Sequence, residues 1–287
     1  MPELLIVGCG EVGVAYAEGL RKLDPAPKLH LLDPTPSADA LALAESAGIA
    51  VHHEPGRALM AADAVLLATP GGALEQVLDA LLPHLPTGIV VADLSTATAE
   101  AKQQADARCR GSQLTYVDVA ITGSVALTGS ATPLLYAGPD APTLIEMLQQ
   151  LGAPLTVLSG ARPGDAMRVK LLRSVIMKGL EGLAVECLPA AEEFGVSEAL
   201  WDSLSDVDKT GFVPLLRAMI RTHPRHAARR EHEVAEAAAQ LESIGYPSTL
   251  TRATERLFSA TNAAAGKSFP EQDGTDGVIS WLRSTNR

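Results

Sequence analysis

Cysteine is scarce in this chain: Cys9, Cys109 and Cys187 are its only three, odd in number and far apart. Such spacing supports neither a disulfide framework nor a cysteine-ligated metal, so three free thiols in a reducing compartment and no metal site are expected. Basic residues are also few, 23 against 34 acidic ones, for a formal charge of −11. A nucleic-acid or anionic-membrane surface relies on clustered Lys and Arg, so neither partner is expected, and an anionic substrate has to be met by a local basic site. No apolar run approaches the length that spans a bilayer. Met1-Pro2-Glu3 offers no basic leader and Leu4 to Val7 is too short for a signal core, so a cytoplasmic location is expected. Aromatic residues make up only 3% although apolar residues reach 47%, and 287 residues leave room for one large or two ordinary domains.

What the chain does have begins at once. Leu4-Leu5-Ile6-Val7 runs straight into Gly8-Cys9-Gly10-Glu11-Val12-Gly13, and Asp33 ends a second apolar run, Leu29-His30-Leu31-Leu32. Gly8 allows a tight turn, Gly10 lets the backbone approach a pyrophosphate, and Gly13 lets a helix lie close to a strand with its free N–H groups toward the anion. Strand context on both sides and an acid 20 residues beyond Gly13 separate this pattern from an ordinary glycine turn. Asp33 is placed to accept hydrogen bonds from ribose hydroxyls. Its carboxylate repels a 2′-phosphate, and Pro34-Thr35-Pro36-Ser37 carries no Arg or Lys to receive one, so NAD is expected in preference to NADP.

The first half alternates short buried strands (4–7, 29–32, 64–68, 88–92, 114–119, 133–137 and 154–158) with amphipathic stretches such as 73–82 and 97–108. This is the α/β pattern of a doubly wound parallel sheet, an N-terminal Rossmann domain over 1–161. Beyond Ser159-Gly160-Ala161-Arg162-Pro163-Gly164 only helices are expected, with breaks near Gly195, Pro214, His223-Pro224, Gly245-Tyr246-Pro247 and Gly266, giving an all-α C-terminal domain over 162–287. Thr69, Pro70, Ser95 and Thr96 fall at the C-terminal ends of strands, where open α/β sheets bind ligands. Thr69 and Pro70 are expected near the nicotinamide ribose and Ser95 or Thr96 near the nicotinamide or substrate, with helix capping as the plainer alternative.

A long helix is expected from about Asp165 to Phe194. Its apolar residues fall around the whole circumference, which predicts burial on most sides. Lys170, Ser174 and Lys178 repeat at i, i+4 and i+8 and share one face. A lysine in a dry cleft loses part of its preference for charge and moves toward the working range of a general base, which suits removal of a hydroxyl proton. Snorkelling of Lys170 and Lys178 outward, or their pairing with Glu181 and Glu186, is the structural alternative. The turn Thr122-Gly123-Ser124 offers hydroxyl and backbone donors to a carboxylate. Arg217, Arg221, Arg225, Arg229 and Arg230, with His223, His226 and His232, read as a solvated helix face balanced by Glu231, Glu233 and Glu236, or as an anion pocket.

Gly8-x-Gly10-x-x-Gly13, Asp93-Leu94-Ser95-Thr96, the stretch from Asp118 to Ser124, and Gly164 with Lys170 occur in the order seen in the β-hydroxyacid dehydrogenase family, which includes 3-hydroxyisobutyrate and 6-phosphogluconate dehydrogenases. The chain resembles that family over its whole length. The resemblance implies that Lys170 is the catalytic lysine, that Thr122, Gly123 and Ser124 bind the substrate carboxylate, and that the protein forms dimers or higher oligomers. Ser174 stands where the family usually has Asn, and Ser124 where it usually has a second glycine. The segment Lys170 to Glu181 looks like a less characterised branch, whose C-terminal domain accompanies phosphogluconate-dehydrogenase-like NAD-binding domains. The expected protein is an NAD(P)-dependent dehydrogenase acting on the CH–OH group of a small hydroxy acid, homodimeric through 162–287. Its candidate catalytic residues are Lys170, Ser174 and Lys178, and its cofactor residues are Gly8, Cys9, Gly10, Glu11, Val12, Gly13, Asp33, Thr69, Pro70, Ser95 and Thr96. An imine reductase on the same fold and a non-catalytic NAD-binding sensor are the rival readings; a sensor has no need of a buried base.

Overall fold

The computed structural model describes residues 2–56, 61–265 and 274–285, so the expected break at Gly266 lies outside the described residues. The strands β1 Glu3–Val7, β2 Lys28–Leu32, β3 Ala50–His52, β4 Ala64–Leu67, β5 Val90–Asp93, β6 Thr115–Ile121, β7 Leu134–Ala137 and β8 Leu155–Val157 form one sheet in the order β3-β2-β1-β4-β5-β6-β7-β8. Helices α1 Glu11–Leu20, α2 Ala38–Ala47, α3 Leu74–Leu81, α4 Ala99–Gly111, the one-turn α5 Val125–Thr128, and α6 Pro142–Gln150 connect them. Alternate residues of each central strand enter opposite cores: Leu4, Ile6 and Leu66 pack with Tyr16, Ala17 and Leu20 of α1, whereas Leu5, Val65 and Leu67 pack with Leu74, Leu78 and Leu81 of α3. Burial on both faces is why these strands read as unbroken apolar runs.

The remainder is helical: α7 Asp165–Glu193, α8 Ser197–Ser203, α9 Ser205–Thr210, α10 Phe212–Ser243, α11 Thr249–Ala265 and α12 Gly274–Thr285. The chain divides into two compact units, Met1–Ser174 and Val175–Arg287. Strands give way to helices between Val157 and Asp165, while the first unit continues into α7, whose Ala166 and Met167 are buried.

Four expectations need correction. The three-residue strand β3 is absent from the sequence reading because Ala50-Val51-His52 is too short and too polar to stand out. Strand β7 is antiparallel to β6, since the connection holds only α5 and a short 3-10 turn rather than a helix able to cross the sheet. Pro214 and Pro224 do not break α10: Pro214 falls in its first turn, where no N–H partner is needed, and the buried Pro224 costs the bond to the Ile220 carbonyl while the helix continues. Finally, α7 is not buried on most sides. Val169, Leu171, Leu172, Val175, Ile176, Leu180, Leu183 and Val185 are exposed in the single chain, Val175 and Val185 by 71%. Apolar residues all round a helix show that its surface needs covering, and say nothing of which chain covers it.

Candidate functional site

The parallel strands β1, β2, β4, β5 and β6 deliver their C-terminal ends to one edge of the sheet, with Leu67 opposite Asp93 and Asp93 opposite Asp118 in the register. A cavity of about 780 Å³ opens there. That volume suits a cofactor-sized ligand. Gly8, Cys9, Gly10, Glu11, Val12, Asp33, Thr69, Pro70, Ser95 and Thr96 all line it. Gly13 stands behind them, where a Cβ would lie 2.0 Å from the Gly8 carbonyl oxygen. Gly8 itself has φ +94, a left-handed conformation that glycine adopts without strain. A Cβ on Gly10 would meet nothing within 4 Å, so the chain leaves open the space in front of α1. No side chain caps the α1 N-terminus, so its N–H groups are available to an anion.

Asp33 does more than face the cavity. One carboxylate oxygen accepts from the Cys9 N–H at 2.7 Å and the other from the Thr35 N–H at 2.8 Å, and the Ser37 hydroxyl donates to the Cys9 carbonyl at 2.7 Å. The segment after β2 therefore clamps both sides of the Cys9 peptide and fixes the glycine turn, while each Asp33 oxygen keeps a lone pair for a ribose hydroxyl. Burial, with Asp33 adding to it, pushes the Cys9 thiol up to about 12, so no thiolate opposes a phosphate at this turn. The Thr69 hydroxyl oxygen is buried in the cavity wall without a partner, as expected of a group that waits for a ligand. Ser95 and Thr96 do not cap α4; Thr98 does, accepting from the Ala101 N–H at 3.2 Å. These features fit a dinucleotide: an open anion site at a helix start, an acid for the ribose, and an unpaired hydroxyl beyond it.

The second group of expected residues lies outside that cavity's lining. Lys170 is half-buried on α7. Burial lowers its pKa first, the positive charge of Lys102 lowers it further, and Asp118 opposes them. Ser174 is half-buried and Lys178 exposed on the same helix face. The alternative pairing with Glu186 is not seen: that carboxylate accepts from the N–H groups of Leu250 and Thr251 and from the Thr251 hydroxyl, capping α11. After β6, the Thr122 hydroxyl and N–H both donate to the Pro133 carbonyl, so Thr122 has no proton left for a carboxylate. Among the described residues the N–H groups of Gly123 and Ser124 make no bond, and the exposed Ser124 hydroxyl is likewise unspent.

Lys102 escaped the sequence reading. Its side chain is fully buried and its ammonium reaches Asp93 at 3.0 Å, Asp118 at 2.9 Å and the Asp93 carbonyl at 3.1 Å. Tyr116 donates to Asp93 at 2.5 Å and the Ser95 N–H to the other Asp93 oxygen at 2.8 Å. The signal was available: Lys102 falls on the stripe of Ala99, Ala105 and Cys109 that faces the sheet, beside two strands that both carry an acid. In the helical half Arg229 pairs with Glu233 and His232 with Glu236, as a solvated face would.

The model of the NAD binding domain of 6-phosphogluconate dehydrogenase matches residues 3–160, and that of a domain of unknown function, DUF1932, matches residues 191–261. Among curated proteins, an uncharacterized 28.5 kDa protein in the 7S RNA 5′ region of Methanothermus fervidus is 26% identical over 143 residues, 50% of this chain and 55% of that protein. The chain thus spans about half the length of this curated relative. Many solved structures share the fold, two of them as follows. One is a conserved protein of unknown function described as structurally similar to 3-hydroxyacid dehydrogenases, 24% identical, with 92% of this chain and 98% of that one covered and a TM-score of 0.62. The other is the Streptomyces aurantiacus imine reductase, 18% identical, with 98% and 99% covered and a TM-score of 0.75.

Proposed function

The chain belongs to the family of the NAD binding domain of 6-phosphogluconate dehydrogenase, and on that premise we propose that it is an oxidoreductase moving a hydride between NAD and the carbinol carbon of a small hydroxy acid, with Lys170 as general base. The observation that carries the reading is Lys170 itself, a half-buried amine with its pKa lowered by burial and by Lys102. NAD, when bound, supplies the hydride acceptor. Lys170 in its neutral form takes the hydroxyl proton, and in the reverse direction its ammonium returns it. The Ser124 hydroxyl and the Gly123 and Ser124 N–H groups hold the carboxylate. Thr122, its donors already spent on Pro133, shapes this turn. Ser174, one turn beyond Lys170, hydrogen-bonds the substrate hydroxyl, and Lys178 adds a charge for a second acid group. NAD is the proposed cofactor because Asp33 holds a negative charge where a 2′-phosphate would sit and the described cavity lining contains no Lys or Arg.

The test is reduced-cofactor formation over a panel of branched, sugar-derived and aromatic hydroxy acids, with NAD and NADP offered separately and cyclic imines offered in the reductive direction. Turnover of a hydroxy acid with kcat/KM at least tenfold higher for NAD supports the proposal. Turnover of imines alone makes the chain an imine reductase like the Streptomyces enzyme it is similar to. Tight NAD binding without any turnover makes it a sensor.

The exposed apolar residues of α7 support a homodimer in which a second copy covers them. Light scattering at micromolar concentration is expected to give twice the mass of the 29.9 kDa chain. A Leu172→Glu, Val175→Glu chain is expected to run as a monomer, and a wild-type monomer would refute the assembly.

A further inference from the structure

The fully buried ammonium of Lys102 ties together two carboxylates that serve different parts of the site. Asp93 accepts from the N–H of Ser95, which lines the cofactor cavity. Asp118 uses its other oxygen to accept from the N–H groups of Gly164 at 3.0 Å and Met167 at 3.1 Å, the start of the helix that carries Lys170. The Lys102 ammonium lies within 3.0 Å of both carboxylates and donates to the Asp93 carbonyl at 3.1 Å, so this buried charge is held from three sides.

We propose that Lys102 is a positioning residue for Lys170: it locks the carboxylate that anchors the first turn of α7, and it sets a fixed buried positive charge in range of the Lys170 amine. The inference rests on the reading of Lys170 as the base. The groups in electrostatic range of that amine are Lys102 from α4 and Asp118 from β6, with Asp93 on β5 and the Tyr116 phenol bound behind them. Asp118 alone, drawing on the α7 N-terminus, would favour the protonated amine. Lys102 offsets it, so the amine stays neutral at a lower pH than burial alone would set. A buried cation this deep has a desolvation cost, and two carboxylates within 3.0 Å and a carbonyl at 3.1 Å are the partners that offset it.

The experiment reads Lys170 directly: pulse acylation with acetic anhydride across a pH series, followed by mass spectrometry of the peptide holding Lys170, in wild type, K102R, K102M and the D93N/K102M pair. Removing Lys102 is expected to raise the labelling midpoint of Lys170 by roughly one pH unit or more, with K102R keeping the wild-type value. The D93N/K102M protein, which loses one charge of each sign, carries the test if the two unpaired carboxylates of K102M prevent folding. An unmoved midpoint in the variants lacking Lys102 overturns the proposal. Turnover is followed in parallel: a midpoint that moves without the acid limb of kcat moving leaves Lys102 as the tuner of Lys170 and removes Lys170 as the base.

Discussion

Lys170→Met is expected to lower kcat by roughly three orders of magnitude, within the range that a positioned general base contributes, while NADH binds within twofold of wild type. The two results belong together because Lys170 is not among the residues lining the cofactor cavity. Lys170→Arg is expected to be as inactive as the Met variant, since a guanidinium keeps its proton at every working pH and cannot accept another. A Met variant that retained kcat within threefold would end the role of Lys170 as base.

The sign of the pH dependence follows from the lowered pKa. Oxidation needs the neutral amine, so kcat rises with pH along a limb set by Lys170, and that limb falls below the ordinary lysine value of 10.5. Stability runs in a related way. The folded state binds this proton less tightly than the unfolded chain does, so charged Lys170 destabilises the fold at low pH, and the loss is recovered as pH rises from the folded value toward 10.5. Methionine has no proton to bind. Its variant is therefore expected to melt no lower than wild type at neutral pH, with any advantage shrinking as pH rises, which differential scanning fluorimetry over a pH series checks. Loss of activity with gain of stability separates a residue kept for chemistry from one kept for packing.

The parts of this molecule legible in the sequence are those in which one short segment carries the whole physical requirement. The glycine turn, the acid after β2 and the apolar strand runs are of that kind, because each is dictated by backbone approach or by burial on both faces of the sheet. Strand β3 was not legible because three residues carry too little pattern, and the reversal of β7 was not because it depends on how far a connection reaches rather than on its composition. Lys102 was hidden for a different reason. A lysine in a helix reads as solvent-facing, and only its phase relative to Ala99, Ala105 and Cys109, together with acids on two separate strands, reveals that it points inward. The exposure of α7 could not be read either, because a pattern of apolar residues specifies a need for contact without naming the surface that meets it.

Gly13→Val is expected to abolish measurable cofactor binding, a loss of at least two orders of magnitude in affinity or about 2.8 kcal/mol. At Gly13 a Cβ would sit 2.0 Å from the Gly8 carbonyl oxygen and 3.0 Å from its carbon, both backbone atoms of the turn itself. No rotamer relieves that overlap. Helix α1 has to lift from the sheet by more than an ångström, which separates its N-terminal N–H groups from the anion site and loosens Tyr16, Ala17 and Leu20 in the core. The melting temperature is therefore expected to fall along with affinity. Gly10→Ala supplies the contrast, because its Cβ meets nothing within 4 Å and φ −82 is open to alanine. That variant is expected to melt with wild type and yet bind NADH more weakly by an order of magnitude, since the methyl enters the space left for the pyrophosphate. Isothermal titration with NADH beside thermal melts of both proteins decides the matter. Equal affinity of G10A and wild type would mean that the dinucleotide lies elsewhere than across this turn.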